Sequence, residues 1–228
     1  MMLHAVIPAA GVGSRMGADI PKQYLQLAGK SVIEQTLERL LQLPGLEHIV
    51  VALGEDDPFW PGLGISNDTR LVTVRGGKER ADSVLNGLYT LRQLCSDEDW
   101  VLVHDAARPC VRLAEIKRLI ETCVNHAQGG ILATPVHDTM KRSDNHNRIL
   151  ETVPREHLWH ACTPQLFRIG ELTEAIEHAL ESGYPVTDEA SAMERAGQQP
   201  LLVECSLANI KITRPDDLAL AEFYLRSE

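Results

Sequence analysis

Apolar positions along the chain fall into short continuous runs that alternate with stretches of helical spacing. His4-Ala5-Val6-Ile7-Pro8 is a brief apolar run that stops at a glycine-rich turn, which predicts a buried first strand. Ser31-Val32-Ile33-Glu34 carries the capping-box pattern of a helix start, and Val32, Ile33, Thr36, Leu37, Leu40 and Leu41 continue it at helical spacing. Residues 48–53 and 71–74 read as strands, the second ending at Arg75-Gly76-Gly77. Ala81, Val84, Leu85, Leu88 and Leu91 mark a helix. Residues 100–103 form a strand that ends at His104-Asp105. Ile116, Leu119, Ile120, Cys123 and Val124 line another helix, and residues 130–136 a further strand. This alternation predicts an α/β fold: a Rossmann-like, mostly parallel sheet with helices on both faces.

Residues 137–163 interrupt the pattern. Thr139-Met140-Lys141-Arg142 and Arg148-Ile149-Leu150-Glu151-Thr152-Val153 are strand-like and flank the polar turn Ser143-Asp144-Asn145-His146-Asn147. They predict a β-hairpin arm, bounded at 137–158, inserted into a single domain of 1–228. A lone hairpin is marginal in water, so it is expected to pack on something else, such as another subunit. The alternation then resumes. Leu172, Ala175, Ile176, Ala179 and Leu180 mark a helix, and Thr187 is placed as the cap of a short one closed by Gly197. Residues 201–204 and 209–212 read as strands, and Thr213-Arg214-Pro215-Asp216 opens a last helix.

Composition narrows the function classes. With 44% hydrophobic and only 4% aromatic residues, the 228-residue chain has enough apolar material for one mostly aliphatic core. A formal net charge of −10 argues against a nucleic-acid partner and requires that any small anionic ligand meet a local cationic pocket. The cysteines (Cys95, Cys110, Cys123, Cys162 and Cys205) are scattered, without CxxC or zinc spacing, and read as reduced thiols. No apolar run approaches the ~18 residues of a membrane span, and the first residues lead straight into strand and glycine turn. No membrane association and a cytoplasmic location are therefore expected.

Candidate chemistry begins in the loop Pro8-Ala9-Ala10-Gly11-Val12-Gly13-Ser14-Arg15-Met16-Gly17. Small residues let backbone amides approach phosphate oxygens, and Arg15 adds a planar bidentate donor. The glycines miss the dinucleotide spacing by one position, and no Gly-Lys-Ser/Thr follows, which counts against a nicotinamide enzyme and a Walker loop. A plain tight turn would produce the same run. In Pro21-Lys22-Gln23-Tyr24, Lys22 is placed either to reach the same phosphates or simply in solvent.

These two segments resemble the signature of the sugar-nucleotidyltransferase superfamily and, more narrowly, of the 2-C-methyl-D-erythritol 4-phosphate cytidylyltransferase family of the non-mevalonate isoprenoid pathway. The resemblance continues through Gly76-Gly77-Lys78-Glu79-Arg80-Ala81-Asp82-Ser83-Val84 and Val103-His104-Asp105-Ala106-Ala107-Arg108-Pro109-Cys110. It reappears at Asp138-Thr139-Met140-Lys141, Leu158-Trp159-His160-Ala161, Thr163-Pro164-Gln165, Thr187-Asp188-Glu189-Ala190-Ser191 and Asn209-Ile210-Lys211-Ile212-Thr213, so it spans nearly the whole chain.

The resemblance implies transfer of CMP from CTP to a polyol phosphate with release of pyrophosphate. It implies Arg15, Lys22 and Lys211 as the catalytic cations. For CTP it implies Pro8, Ala9, Ala10, Gly11, Gly77, Ser83, Asp105, Ala106 and Arg108, with Asp105 also beside the Mg²⁺ that accompanies the nucleotide and Asn209 orienting the same region. For the acceptor it implies Thr139, Arg155 and Thr163, with the arm embracing a second subunit in a homodimer. Asp105 read alone also fits a turn cap, and Arg155 a solvated arginine. His104, His137, His157 and His160 read as packing or capping residues, since no ligand repeats at i+4 beside them. The acceptor is expected to be 2-C-methyl-D-erythritol 4-phosphate; another polyol phosphate such as ribitol 5-phosphate would share the CTP loop. A catalytically silent nucleotide-binding protein is disfavoured by the joint presence of Arg15, Lys22, Asp105 and Lys211.

Overall fold

In the first strand, β1 (Leu3–Pro8), alternate residues are buried on opposite sides: Ala5 and Ile7 join one apolar cluster and Val6 another. A strand buried on both faces needs a layer of helices above and below. The computed structural model describes residues 2–11 and 20–227 and shows those layers. After β1 come the two-residue strands β2 (Gln26–Leu27) and β3 (Lys30–Ser31), then α1 (Val32–Leu41), β4 (Leu46–Leu53), β5 (Leu71–Arg75), α2 (Arg80–Arg92), β6 (Trp100–Val103), α3 (Leu113–His126) and β7 (Gly130–Pro135). The arm strands β8 (Met140–Ser143) and β9 (Ile149–Val153) come next. The chain closes with β10 (Trp159–Arg168), α4 (Ile169–Glu181), α5 (Glu189–Arg195), β11 (Leu201–Glu204) and α6 (Pro215–Arg226).

Among the described residues, seven strands form the main sheet in the order β11-β7-β10-β6-β1-β4-β5. All neighbours are parallel except β10, which runs antiparallel to both β6 and β7. On one face Trp100, Leu102, Ile49 and Val51 meet Ile33, Leu37 and Leu40 of α1 and Ile116 and Leu119 of α3. On the other face Val101, Val103 and Val50 meet α2 and α4 through Val84, Leu88, Leu172 and Ile176. The expected capping box starts α1: Ser31 Oγ accepts the Glu34 amide at 3.3 Å and Glu34 Oε2 accepts the Ser31 amide at 2.9 Å.

The structure departs from the sequence pattern in three places. Residues 209–212 form no strand; they run as an extended loop whose Ile212 N–H donates to Ala107 O at 2.9 Å. The cap of α5 is Asp188, whose carboxylate accepts the Ser191 amide at 3.0 Å, rather than Thr187. A ten-residue strand, β10, occupies the segment after the arm that the alternation left unassigned. The reversed direction of β10 decides where Thr163 lies. Gln165 pairs with Val103, so Thr163 falls just beyond the carboxyl end of β6.

Gly87 of α2 shows how closely the helices approach the sheet. A Cβ there would sit 2.6 Å from Val6 Cγ1. Glycine inside a helix is disfavoured by about 1 kcal/mol relative to alanine, yet this contact reverses the sign. Gly87→Ala is expected to lower the unfolding free energy by about 1–3 kcal/mol in urea titration, as overpacked cores do, and to do so less in a Val6→Ala background. A gain in stability would mean that α2 moves off β1 without cost.

Candidate active site

The parallel strands β1, β4, β5 and β6 end side by side, and the loops after them frame a crevice at the carboxyl edge of the sheet. Open α/β sheets take ligands at this edge, where the strand order turns outward from a central strand. Asp105, two residues past β6, stands at the crevice floor and is buried. Its Oδ1 accepts from Arg80 Nε at 3.1 Å. Its Oδ2 accepts from Arg108 Nε at 3.3 Å and lies 3.0 Å from Lys211 Nζ. Burial alone would raise the Asp105 pKa; the charges of Arg80, Lys211 and Arg108 outweigh it and hold the carboxyl well below the usual carboxylate range.

A chain of hydrogen bonds fixes the backbone around this carboxylate. The Asp105 N–H donates to Thr163 Oγ1 at 3.0 Å, and Thr163 Oγ1 lies 2.9 Å from His104 Nδ1. His104 Nε2 lies 3.1 Å from the Arg108 carbonyl oxygen. A carbonyl only accepts, so the ring proton sits on Nε2 and Nδ1 accepts the Thr163 hydroxyl. Burial chiefly pushes the His104 pKa down to about 4, which keeps the ring neutral. Asn209 ties in a third segment, donating Nδ2 to Thr163 O at 2.9 Å while its backbone carbonyl accepts from Arg108 at 2.6 Å.

Two cavities meet at Asp105. The first, about 300 Å³, runs from the first loop (Pro8, Ala9, Ala10 and Gly11) to Gly77 and Ser83, with Lys22, Ala106 and Lys211 also in its lining. Gln23 fixes the loop by donating to Ala9 O at 2.7 Å and Gly11 O at 3.1 Å. Lys22 Nζ donates to Ile212 O at 3.0 Å, which sets this lysine beside the segment carrying Lys211. Gly76 must lack a side chain: a Cβ there would lie 2.4 Å from Ala10 Cβ. The Gly77 amide donates to Ser83 Oγ at 3.0 Å. The second cavity, about 270 Å³, is lined by Arg108, Thr163, Gln165, Thr187 and Asp188. Arg80, Asp105 and Lys211 line both and form their common wall.

Most of the residues singled out in the sequence therefore converge. Arg15 lies outside the described residues. Thr139 and Arg155 are exposed and line neither cavity of their own chain; Arg155 hydrogen-bonds the His137 carbonyl oxygen at the root of the arm. Sequence reasoning did not single out Arg80, Gln23 or Glu189. Arg80 and Glu189 lie inside the blocks that carry the resemblance, but their pairing across 109 positions leaves no local signal.

A model of the family IspD, 2-C-methyl-D-erythritol 4-phosphate cytidylyltransferase, matches residues 3–227. The chain belongs to this family. It is 57% identical over 226 residues to the 2-C-methyl-D-erythritol 4-phosphate cytidylyltransferase of Vibrio vulnificus strain YJ016, covering 99% of this chain and 95% of that protein. The Vibrio parahaemolyticus protein of the same name is 58% identical over 225 residues, covering 98% and 95%. Among solved structures, the Francisella tularensis cytidylyltransferase aligns with a TM-score of 0.86 at 40% identity, over 98% of this chain and 100% of that one. Membership in a cytidylyltransferase family accounts for a crevice rich in cations on an acidic chain.

The neutral histidines give this cytidylyltransferase-family fold a pH dependence. The folded-state pKa of His104, about 4, lies below its ordinary 6.5, so the unfolded chain binds the extra proton between these values. Stability is unaffected above pH 6.5 and falls as pH drops from 6.5 toward 4, by about 2 kcal/mol at pH 5 from this group. His4, also lowered chiefly by burial, adds in the same direction. Urea midpoints at pH 7 and pH 5 should differ less in His104→Gln than in the wild type. Equal differences would remove His104 from the acid sensitivity.

Proposed function

We propose that the chain transfers the CMP moiety of CTP to 2-C-methyl-D-erythritol 4-phosphate, giving 4-diphosphocytidyl-2-C-methyl-D-erythritol and pyrophosphate in isoprenoid biosynthesis. The observation that carries this reading is the pair of cavities sharing the wall Arg80, Asp105 and Lys211, in a chain of this family. CTP takes the first cavity, with Pro8, Ala9, Ala10, Gly11, Gly77, Ser83 and Ala106 around it, while Arg108 reaches it from the second cavity, across the Asp105 carboxylate. The acceptor phosphate approaches through the second, past Thr163. A phosphomonoester has its second pKa near 6 and is largely dianionic at neutral pH, so it needs no general base. One of its oxygens attacks the α-phosphorus; a new P–O bond forms as the α–β bridging bond breaks and pyrophosphate leaves. The chain's task is to hold two anions in line and to balance charge at the α-phosphorus with Arg15, Lys22 and Lys211.

The donor chemistry at Asp105 fits Mg²⁺: a hard carboxylate oxygen at the junction of the cavities would hold the ion together with substrate phosphates. Bound there, the ion would neutralise phosphate charge. Lys211, 37% exposed at its side chain, is the partner that would yield Oδ2. The arm is assigned to a homodimer: β8 and β9 stand exposed, with Ile149 at 66% and Leu150 at 63%, and such a surface on a lone hairpin supports burial against a second copy. In that arrangement Thr139 and Arg155 serve the acceptor site of the neighbouring subunit. No helix of the described residues is long and apolar enough to cross a membrane, which is compatible with work in the cytoplasm on small phosphorylated substrates.

Pyrophosphate release from the purified protein with Mg²⁺ and CTP should require 2-C-methyl-D-erythritol 4-phosphate. Release with ribitol 5-phosphate instead would keep the nucleotide half and overturn the acceptor. Lys22→Ala should lower kcat by at least about 100-fold with the fold intact, the scale of losing one preorganised charge; near-normal turnover removes Lys22 from the mechanism. Arg155→Ala should raise the acceptor KM by about 10-fold and leave that for CTP in place. Unchanged KM values for both would refute the arm assignment.

A further inference from the structure

Glu189, the first residue of α5, is a carboxylate buried to 1% exposure whose two oxygens both go to one guanidinium. Arg80 NH1 donates to Oε1 at 2.6 Å and NH2 to Oε2 at 3.1 Å, while Nε of the same side chain donates to Asp105 Oδ1. We infer that Arg80 and Glu189 are positioning residues for the transfer, which hold the Asp105 carboxylate from behind while its other oxygen exchanges partners. The inference rests on the function proposed above.

The division of partners on Asp105 supports this role. Oδ2 faces Arg108 and Lys211, the cations that substrate phosphates would draw away. Among the described residues, the ion pair on Oδ1 is with Arg80. When Lys211 turns to a phosphate, a carboxylate bound only through Oδ2 would be free to rotate, whereas one tethered through Oδ1 keeps its place. The tether must itself be fixed. A guanidinium is a rigid planar fork, so the bidentate contact with Glu189 sets its plane as well as its position. That contact also offsets the charge of Arg80, so this arginine acts as a strut rather than as another anion ligand.

The placement of the pair adds a second argument. Arg80 opens α2, which carries Ser83 into the nucleotide cavity; Glu189 opens α5, directly after Thr187 and Asp188 of the second cavity. The ion pair therefore spans the frames of the two substrates, and in-line transfer is sensitive to displacements of about 1 Å between them. A buried ion pair is weak evidence of a stability role, since apolar replacements of both partners are often neutral. Orientation is what such a replacement would lose.

Steady-state kinetics and thermal melts of the wild type, Glu189→Gln, Arg80→Lys and the double variant Arg80→Met with Glu189→Leu test the inference. The double variant removes both charges of the pair together, leaves Asp105 with Arg108 and Lys211 through Oδ2, and keeps the experiment decisive should Glu189→Gln fail to fold. The expected result is a folded double variant with kcat lowered at least about 10-fold and KM values for CTP and acceptor within about 3-fold of the wild type, the split expected when positioning rather than binding is lost. Arg80→Lys, keeping the charge but not the fork, should also fall in kcat. A folded double variant with wild-type kcat would overturn the inference and leave the functional reading standing. A rise in KM with kcat unchanged would overturn it in favour of Arg80 as a substrate-binding cation. A wild type that releases no pyrophosphate with either acceptor would overturn the functional reading and this inference together.

Discussion

A carboxylate is held out of water at the end of β6, and the rest of the site is arranged to make that tolerable. Desolvating the Asp105 charge would cost several kcal/mol if it stood alone. Arg80, Arg108 and Lys211 come to it from three separate parts of the chain: the start of α2, the turn after β6, and the loop before α6. Each brings a structural commitment. Arg80 requires Glu189 and thereby fixes α5. Arg108 requires the Asn209 carbonyl, and Asn209 in turn holds the Thr163 carbonyl. A single buried charge thus recruits the segments that line both cavities.

Much of this frame is legible in the sequence because burial on two faces writes a simple pattern. Short apolar runs bounded by turns, such as residues 100–103, match strands between helical layers, and the capping box at Ser31 and Glu34 states where α1 begins. The antiparallel strand β10 escapes this reading. Its first residues are exposed, Pro164 interrupts it, and its direction depends on pairing with β6 and β7 rather than on any local preference. Residues 209–212 fail in the opposite way. Ile210 and Ile212 alternate like a strand, yet Ile212 is buried beside Ala107 and Val32 rather than in the sheet.

The candidate site is legible to the same extent and for a related reason. Ordered short blocks carry the resemblance that points to Lys22, Asp105, Thr163 and Lys211, and the fold brings all of these to the crevice. Arg80 and Glu189 are invisible as a pair because nothing in either neighbourhood announces a partner at the other. Thr139 and Arg155 are the reverse case. Their blocks fit the pattern, but they sit at the root of the exposed arm, away from the crevice of their own chain.

The wall shared by the two cavities has a thermodynamic corollary. Arg80, Asp105 and Lys211 cannot rearrange for a guest in one cavity without altering the surface offered to a guest in the other. Linkage makes that influence reciprocal: whatever free energy the nucleotide contributes to the affinity of its co-substrate, the co-substrate returns to the nucleotide. A competitive inhibitor seated on this wall from either side would therefore report a potency that depends on which natural ligand is already present. Screening against the empty protein would measure a different affinity from the one that matters during turnover.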